Sequence, residues 1–348
     1  MKISVIMPIF NCERYLETAI NSVLAGGVSD IEIIAVDDAS TDSSPELLRA
    51  LSERETRIKS VFNSRNLGVA ASRNLALSLA KGEFVAFCDA DDIVPDGAYA
   101  AMLAASHEVD LVIGAHADRY DSGEERPAVL GRDDSSSLFS AVFSVACLWT
   151  KLIRKSFISN NALAFDPTMK IGEDVVFLAE LTVAAPRYRV IGSTVYCHCH
   201  HDSGLPSLNH TYTLDAFAYH LLCRTRLLEI CRNIPGSHDF VFSRFTPFIV
   251  DMLDKFEGRE DRDPAFLMFK EHILSYGTPY DKTLFLSLLG VQYEDFASLT
   301  AAEYFRRKNL LTPRERVLLE FKSGRIGFRF IVKYFKAWLG YKAGRRNL

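Results

Sequence analysis

The stretch "NLGVAASRNLALSLAKGEFVAFCDADD", Asn66 to Asp92, reads in three steps. Apolar residues recur at helical spacing from Val69 to Ala80, Lys81-Gly82 breaks the pattern, and Phe84 to Cys88 is a short apolar and aromatic run that predicts a buried strand. Three carboxylates, Asp89, Asp91 and Asp92, follow at once, and Pro95-Asp96-Gly97 turns the chain into an Ala-rich helical stretch to about Ala105. The carboxylates therefore stand at the carboxyl end of a strand, where open α/β sheets form their ligand crevices. Like charges crowded there repel one another unless water screens them, a helix begins with them, or a cation lies among the oxygens.

Working outward, the same alternation extends to the start of the chain. Ile3 to Met7, Ile31 to Val36 and Arg57 to Phe62 read as strands, while Leu16, Ala19, Ile20, Val23 and Leu24, then Leu47, Leu48 and Leu51, mark helix faces. Such order predicts a parallel sheet with helices on both faces. Polar residues gather where the strands end: Pro8 and Asn11, then "VDDASTD" (Val36 to Asp42), then "NSRNLGVAASRN" (Asn63 to Asn74, with Asn66 and Gly68), then Asp89, Ala90 and Asp91. Four loops delivered to one edge predict a site. Asp37 and Asp38 can accept a base N–H or a ribose hydroxyl, with helix capping by Asp38, Ser40 or Thr41 ahead of Pro45 as the alternative. Gly68 permits close backbone approach at a helix start, and Arg73, one turn in, can reach an anionic ligand or form an ordinary ion pair. Asp89 and Asp91 gain a purpose if they hold Mg²⁺ or Mn²⁺ against a nucleotide diphosphate.

Composition sets bounds on class. A chain of 348 residues with 48% hydrophobic content can bury one large core or two domains. A formal net charge of −4 argues against a general nucleic-acid binder. Seven cysteines, an odd number with no C-x-x-C, suit reduced thiols in a cytoplasmic protein. The opening "MKISVIMPIF" reads as a first strand rather than a signal peptide, and no run is long and apolar enough to span a bilayer, so membrane contact is expected to be peripheral.

Together "VIMPIFNCERYLETAINSVL", "IEIIAVDDASTDSS" and the Asn66–Asp92 stretch resemble the amino-terminal half of family 2 glycosyltransferases, and the resemblance resumes at "CLWTKLIRKSFI" (Cys147 to Ile158) and "FDPTMKIGEDVVFLAEL" (Phe165 to Leu181). It implies the GT-A fold, a Rossmann-like, mostly parallel α/β sheet, over about residues 1–207, with the nucleotide part at about 1–115 and the acceptor part at about 116–207. By that likeness Asp38 contacts the base, Arg73 the nucleotide, Asp89 the ribose or metal, Asp91 the metal, and Asp174 is the catalytic base of an inverting transfer. Pro8, Asn11, Asp37, Asn66, Gly68 and Ala90 complete the expected donor-binding set. An acidic helix start after Gly172 is the plainer reading of Glu173-Asp174. Trp149 and Lys151 are candidates for the acceptor site, against a core tryptophan and a surface lysine.

"YCHCHHDSG" (Tyr196 to Gly204) departs from the family pattern, and alternation along a strand splits Cys197, His198, Cys199 and His200 between two faces, which weakens a zinc reading. His201, near the strand end, is expected to reach the metal or diphosphate, as a histidine does in some relatives. Residues 208–348 read as helical, with Leu221, Leu222, Arg226, Leu228, Leu318 and Leu319 on buried or half-buried faces. The tail 322–348 interleaves lysines and arginines with aromatics, which predicts a basic amphipathic helix on an anionic membrane, or else a packed helix or an oligomer contact. The expectation is a metal-dependent transferase that moves one sugar from a UDP-sugar to a glycan or lipid-linked acceptor in cell-surface polysaccharide synthesis, on the inner face of the cell membrane and without nucleic acid. The absence of a Gln-x-x-Arg-Trp motif argues against processive synthases, and the alternatives are a nucleotidyltransferase or a noncatalytic nucleotide-sugar-binding module.

Overall fold

In the computed structural model Ile3, Val5, Ile6 and Met7 are fully buried in the first strand, β1 (Ile3–Ile9). Strands buried on both faces read as continuous apolar runs, and β2 (Ile31–Asp37) and β4 (Phe84–Phe87) follow the same rule. Glu32 interrupts β2 without cost to the sheet because its buried carboxylate accepts from Ser4 Oγ at 2.6 Å and from Lys81 N–H at 2.7 Å. The structure describes residues 1–127, 138–144, 147–201, 212–235, 237–277 and 293–309. The expected basic tail 322–348, with Leu318 and Leu319, lies outside them.

The chain divides into two compact units, Met1–Leu205 and Pro206–Leu348. In the first, β3 (Ile58–Phe62) joins β2, β1 and β4 in parallel, in the order β3-β2-β1-β4. The sheet then changes direction. β7 (Lys151–Arg154) runs antiparallel to both β4 and β5 (Leu111–Tyr120), β6 (Glu125–Pro127) forms an antiparallel edge on β5, and β8 (Tyr188–His200) pairs parallel with β5. Helices cross between the parallel strands: α1 (Leu16–Leu24), α2 (Ser44–Arg54), α3 (Val69–Leu79) and α4 (Ala98–Ala104). α1 buries Leu16, Ala19, Ile20 and Val23, the i, i+3, i+4, i+7 face expected of a helix on a sheet. After α5 (Leu138–Ser144) and α6 (Lys155–Asn160), α7 (Glu173–Val183) leads into β8. The fold is a mixed α/β sheet, parallel from β1 to β4 and again between β5 and β8, in line with the mostly parallel, Rossmann-like sheet expected. None of the seven cysteines is in a disulfide.

The second unit has its own aromatic core, including Phe217, Phe256, Phe269, Phe296 and Tyr304. It is built from α8 (Leu214–Ile230), α9 (Ser237–Asp254), α10 (Arg262–Tyr276) and short helical stretches at Tyr293–Phe296 and Ala301–Asn309. Leu221 is buried there and Leu228 half-buried, but Leu222 and Arg226 are exposed; the buried cation is Arg224, whose guanidinium lies 2.8 Å from His272 Nε2. The inward stripe of α8 runs through Phe217, Leu221, Arg224 and Thr225. No helix of the described residues is long and apolar enough to cross a membrane.

Candidate active site

The parallel register brings Ile9, Asp37 and Phe62 side by side, so the loops after β1, β2 and β3 leave the sheet together. Asn11, at φ +56°, a left-handed conformation that asparagine tolerates, clamps the β2–α2 loop: its N–H donates to Ser40 Oγ at 3.0 Å and its Oδ1 accepts from Thr41 N–H at 2.8 Å. The capping alternative for Asp38, Ser40 and Thr41 gives way to this clamp, and the α2 N-cap position falls to Ser43. Asp38 is buried with both oxygens occupied: Oδ1 accepts from Asn63 Nδ2 (2.7 Å) and Leu67 N–H (2.9 Å), and Oδ2 from Gly68 N–H (2.8 Å). It therefore shapes the loop that carries exposed Asn66. Gly68 sits at φ +89° and ψ 158°, a region open essentially to glycine alone, although a Cβ there would meet nothing within 4 Å. Asp37 accepts from Ser40 N–H at 3.1 Å through Oδ1, while its Oδ2 is buried without a partner. Pro8 is half-buried beside Val36 in the β1–β2 pair, and Ala90 is buried.

Arg73 ties this edge to a segment a hundred positions away. Its guanidinium donates to Glu173 Oε1 at 2.5 Å and to Asp89 Oδ1 at 3.3 Å, with both Arg73 and Glu173 less than a tenth exposed. Phe165 lies under it at 5.5 Å and is itself stacked on Phe177 at 4.4 Å, while Asn74 clamps the Phe165 backbone on both its N–H and its carbonyl. Gly172, at φ +79°, makes the left-handed turn into α7, and the first helical residues are Glu173 and Asp174, where the helix dipole favours negative charge. Burial, then the charge of Asp174, raises the Glu173 carboxyl above its usual range against the pull of Arg73. Burial also raises Asp174, while Arg73 and a hydrogen bond from Val175 N–H at 2.8 Å oppose the rise. Lys151 is no surface lysine. It is fully buried, donates to the Cys147 carbonyl at 2.7 Å and to Thr150 Oγ1 at 3.0 Å, and burial brings its ammonium down to about 8. Trp149 is half-buried and stacks on Tyr196 at 4.4 Å.

The carboxylates after β4 have separate duties. Asp92 is buried and accepts from Tyr196 OH and from Cys199 N–H, both at 2.7 Å, while the Tyr196 hydroxyl accepts from Asp89 N–H at 3.0 Å. Asp92 thus pins the loop to β8. Asp89 keeps a side chain 37% exposed, and Asp91 is exposed. Partial removal from water, then the charge of Asp89, pushes the Asp91 carboxyl above its ordinary range. This repulsion between two oxygen donors is what a hard divalent cation relieves, so the pair fits Mg²⁺ or Mn²⁺. His201 reaches the same loop by a different contact from the one expected: Nε2 meets the Asp91 backbone carbonyl at 3.0 Å, Nδ1 meets Asp121 Oδ1 at 3.1 Å, and the ring stacks on Tyr15 at 3.8 Å. Both ring nitrogens face oxygen atoms. The sequence carried no signal for the roles of Glu173, Tyr196 and Lys151, since each depends on a partner brought by the fold.

Residues 4–170 match the family model described as glycosyl transferase family 2. EpsH of Bacillus subtilis is 32% identical over 172 residues, 47% of this chain and 50% of that protein; the chain spans about half the length of the curated relatives it matches. In fold the chain is similar to Staphylococcus aureus TarS residues 1–349 in complex with UDP-GlcNAc, with a TM-score of 0.68 at 21% identity over 89% of this chain and 91% of the other. The mannosyltransferase PcManGT of Pyrobaculum calidifontis, in complex with GDP-Man and Mn²⁺, gives a TM-score of 0.52 at 14% identity over 88% and 86%.

Proposed function

We propose that the protein is a family 2 glycosyltransferase that transfers one sugar, with inversion, from a UDP-sugar to a hydroxyl of a glycan or lipid-linked glycan, a reading supported by the match of residues 4–170 to that family's model. The observation that carries this reading is the Arg73 bridge, which sets Asp89 of the β4 loop and Glu173 of the α7 start around one guanidinium, with Asp174 as the next residue. Asp89 and Asp91 would hold a divalent cation, which when bound supplies positive charge against the departing diphosphate. Asp174, raised by burial into a better proton acceptor, would take the proton of the attacking acceptor hydroxyl. Arg73 keeps the carboxylates of the two segments from separating. His201 and Asp92 fix the backbone that presents Asp91. The UDP-GlcNAc of TarS supports the choice of donor class, and the Mn²⁺ of PcManGT supports the choice of cation.

Nucleoside diphosphate affinity is the direct test, because a carboxylate pair without its cation repels a diphosphate. Calorimetry with UDP should show binding that needs Mn²⁺ and falls at least tenfold in Asp91→Ala; equal affinity with and without the metal would remove the metal role. GDP and dTDP titrations check the base. A nucleotidyltransferase is disfavoured by the β1 loop, which spends Asn11 on clamping its neighbour rather than cradling phosphate. The basic and aromatic sequence of 322–348 supports peripheral attachment to the inner, anionic membrane face. Truncation after Ser323 should release the protein from anionic vesicles while leaving UDP binding unchanged; retention on the vesicles would assign attachment elsewhere.

A further inference from the structure

The face shared by β5 and β8 carries a cluster that the donor site does not use. Parallel pairing sets Asp118 beside His198 and Tyr120 beside His200, and strand alternation turns Cys197 and Cys199 to the other face. Asp118 Oδ1 lies 3.3 Å from His198 Nδ1 and 3.0 Å from His200 Nε2, and the ligand atoms of all three residues fall within 4.8 Å of one another. The rings are held in place by aromatic neighbours. His198 stacks on Trp149 at 5.8 Å, His200 stacks on Tyr120 at 4.6 Å, and the two imidazoles meet edge to face at 4.5 Å.

The two separations from Asp118 Oδ1 have the scale of the edges of a metal site. Ligand bonds of about 2.0 to 2.1 Å around a tetrahedral ion place neighbouring donor atoms about 3.3 Å apart. The donor set also selects the ion. Two imidazoles with one carboxylate suit zinc, cobalt, nickel or copper, whereas oxygen donors alone, as at Asp89 and Asp91, suit magnesium or manganese. We propose that Asp118, His198 and His200 form a second metal site, for a zinc-class dication, distinct from the donor site. All three side chains are between 31% and 41% exposed, so ions can enter from solvent and a three-donor shell leaves a coordination place open to water or to an anionic group of an acceptor. Occupancy ties the end of β5 to the end of β8, and the residue after β8 is His201, on the Asp91 carbonyl.

Cobalt substitution on the full-length protein, treated with chelator and then titrated with Co²⁺, reads this site without any sugar donor, so its outcome is independent of whether the protein is a transferase. The expected result is a visible ligand-field band saturating at one Co²⁺ per chain, displaced by Zn²⁺, unaffected by excess Mg²⁺ and retained in Asp91→Asn. His198→Ala with His200→Ala should abolish the band, and Asp118→Asn should weaken Co²⁺ at least tenfold; His198→Gln and His200→Gln, which keep more of the packing on Trp149 and Tyr120, repeat the comparison should the alanine pair fail to fold. No band in the parent, a band that survives loss of both histidines, a sulfur-to-metal charge-transfer band, or loss of the band in Asp91→Asn would each overturn the assignment.

Discussion

Asp174→Asn should keep UDP-sugar affinity within a few fold of the parent while kcat falls by about 10² or more, the scale of general-base catalysis. The amide preserves the volume of the side chain and keeps an oxygen for the Val175 N–H that Asp174 Oδ1 now accepts at 2.8 Å, so the start of α7 should survive. It cannot take a proton. Because burial raises the Asp174 carboxyl and Asp89 adds to the rise, the acid limb of the parent pH–rate profile should lie above the ordinary aspartate range, and the variant should lack that limb. Calorimetry for binding and single-turnover kinetics for chemistry separate the two effects. Equal loss of both would make Asp174 a structural residue of the Arg73 cluster. Glu173→Gln is the comparison, since Glu173 is raised in the same direction but is committed to Arg73 at 2.5 Å.

How far the sequence led depends on whether a feature is local. Strands β1 to β4 were legible because each is a short apolar run between turn signals, and the polar ends of those runs gave the site edge before any contact was known. The antiparallel half was not. β7 is four residues long, begins with a lysine, and is a strand because β4 and β5 flank it, which no local pattern announces. Lys151 itself reads as a surface residue until the Cys147 carbonyl and Thr150 hydroxyl are seen to satisfy it in the interior. Asp91 and Asp92 are chemically identical in the sequence; only Tyr196 and Cys199, more than a hundred positions on, make one an anchor and leave the other exposed. On α8 the buried stripe passes through Arg224 rather than Arg226, because His272 of α10 supplies a partner that the helix period cannot show. The division of Cys197 and Cys199 from His198 and His200 followed from strand alternation alone, but Asp118 needed the β5 register.

Arg73→Met should cost about 3 to 5 kcal/mol of stability, the usual penalty for removing one member of a buried ion pair and leaving the other uncompensated. Met fills most of the space over Phe165, so the loss is mainly electrostatic: Glu173, Asp89 and Asp174 would lose the guanidinium that faces them. The pH dependence identifies the cause. Glu173 has a folded-state value raised from 4.5 to about 7, so the folded chain holds a proton that the unfolded chain releases across that window, and its contribution to stability declines as pH rises through it. Arg73 opposes that rise. Without it the folded value moves further up, the decline extends to higher pH, and the deficit of Arg73→Met relative to the parent should grow between about pH 5 and pH 8. Replacing both partners, Arg73→Met with Glu173→Leu, should recover at least half of the deficit at pH 8, because an apolar pair of similar volume needs no buried charge. Urea melts of the parent, the single variant and the double variant at the two pH values measure all of this. A penalty below about 1 kcal/mol, or one independent of pH and unrelieved by the second substitution, would mean that water reaches the cluster freely and that Arg73 is held for the nucleotide rather than for the fold.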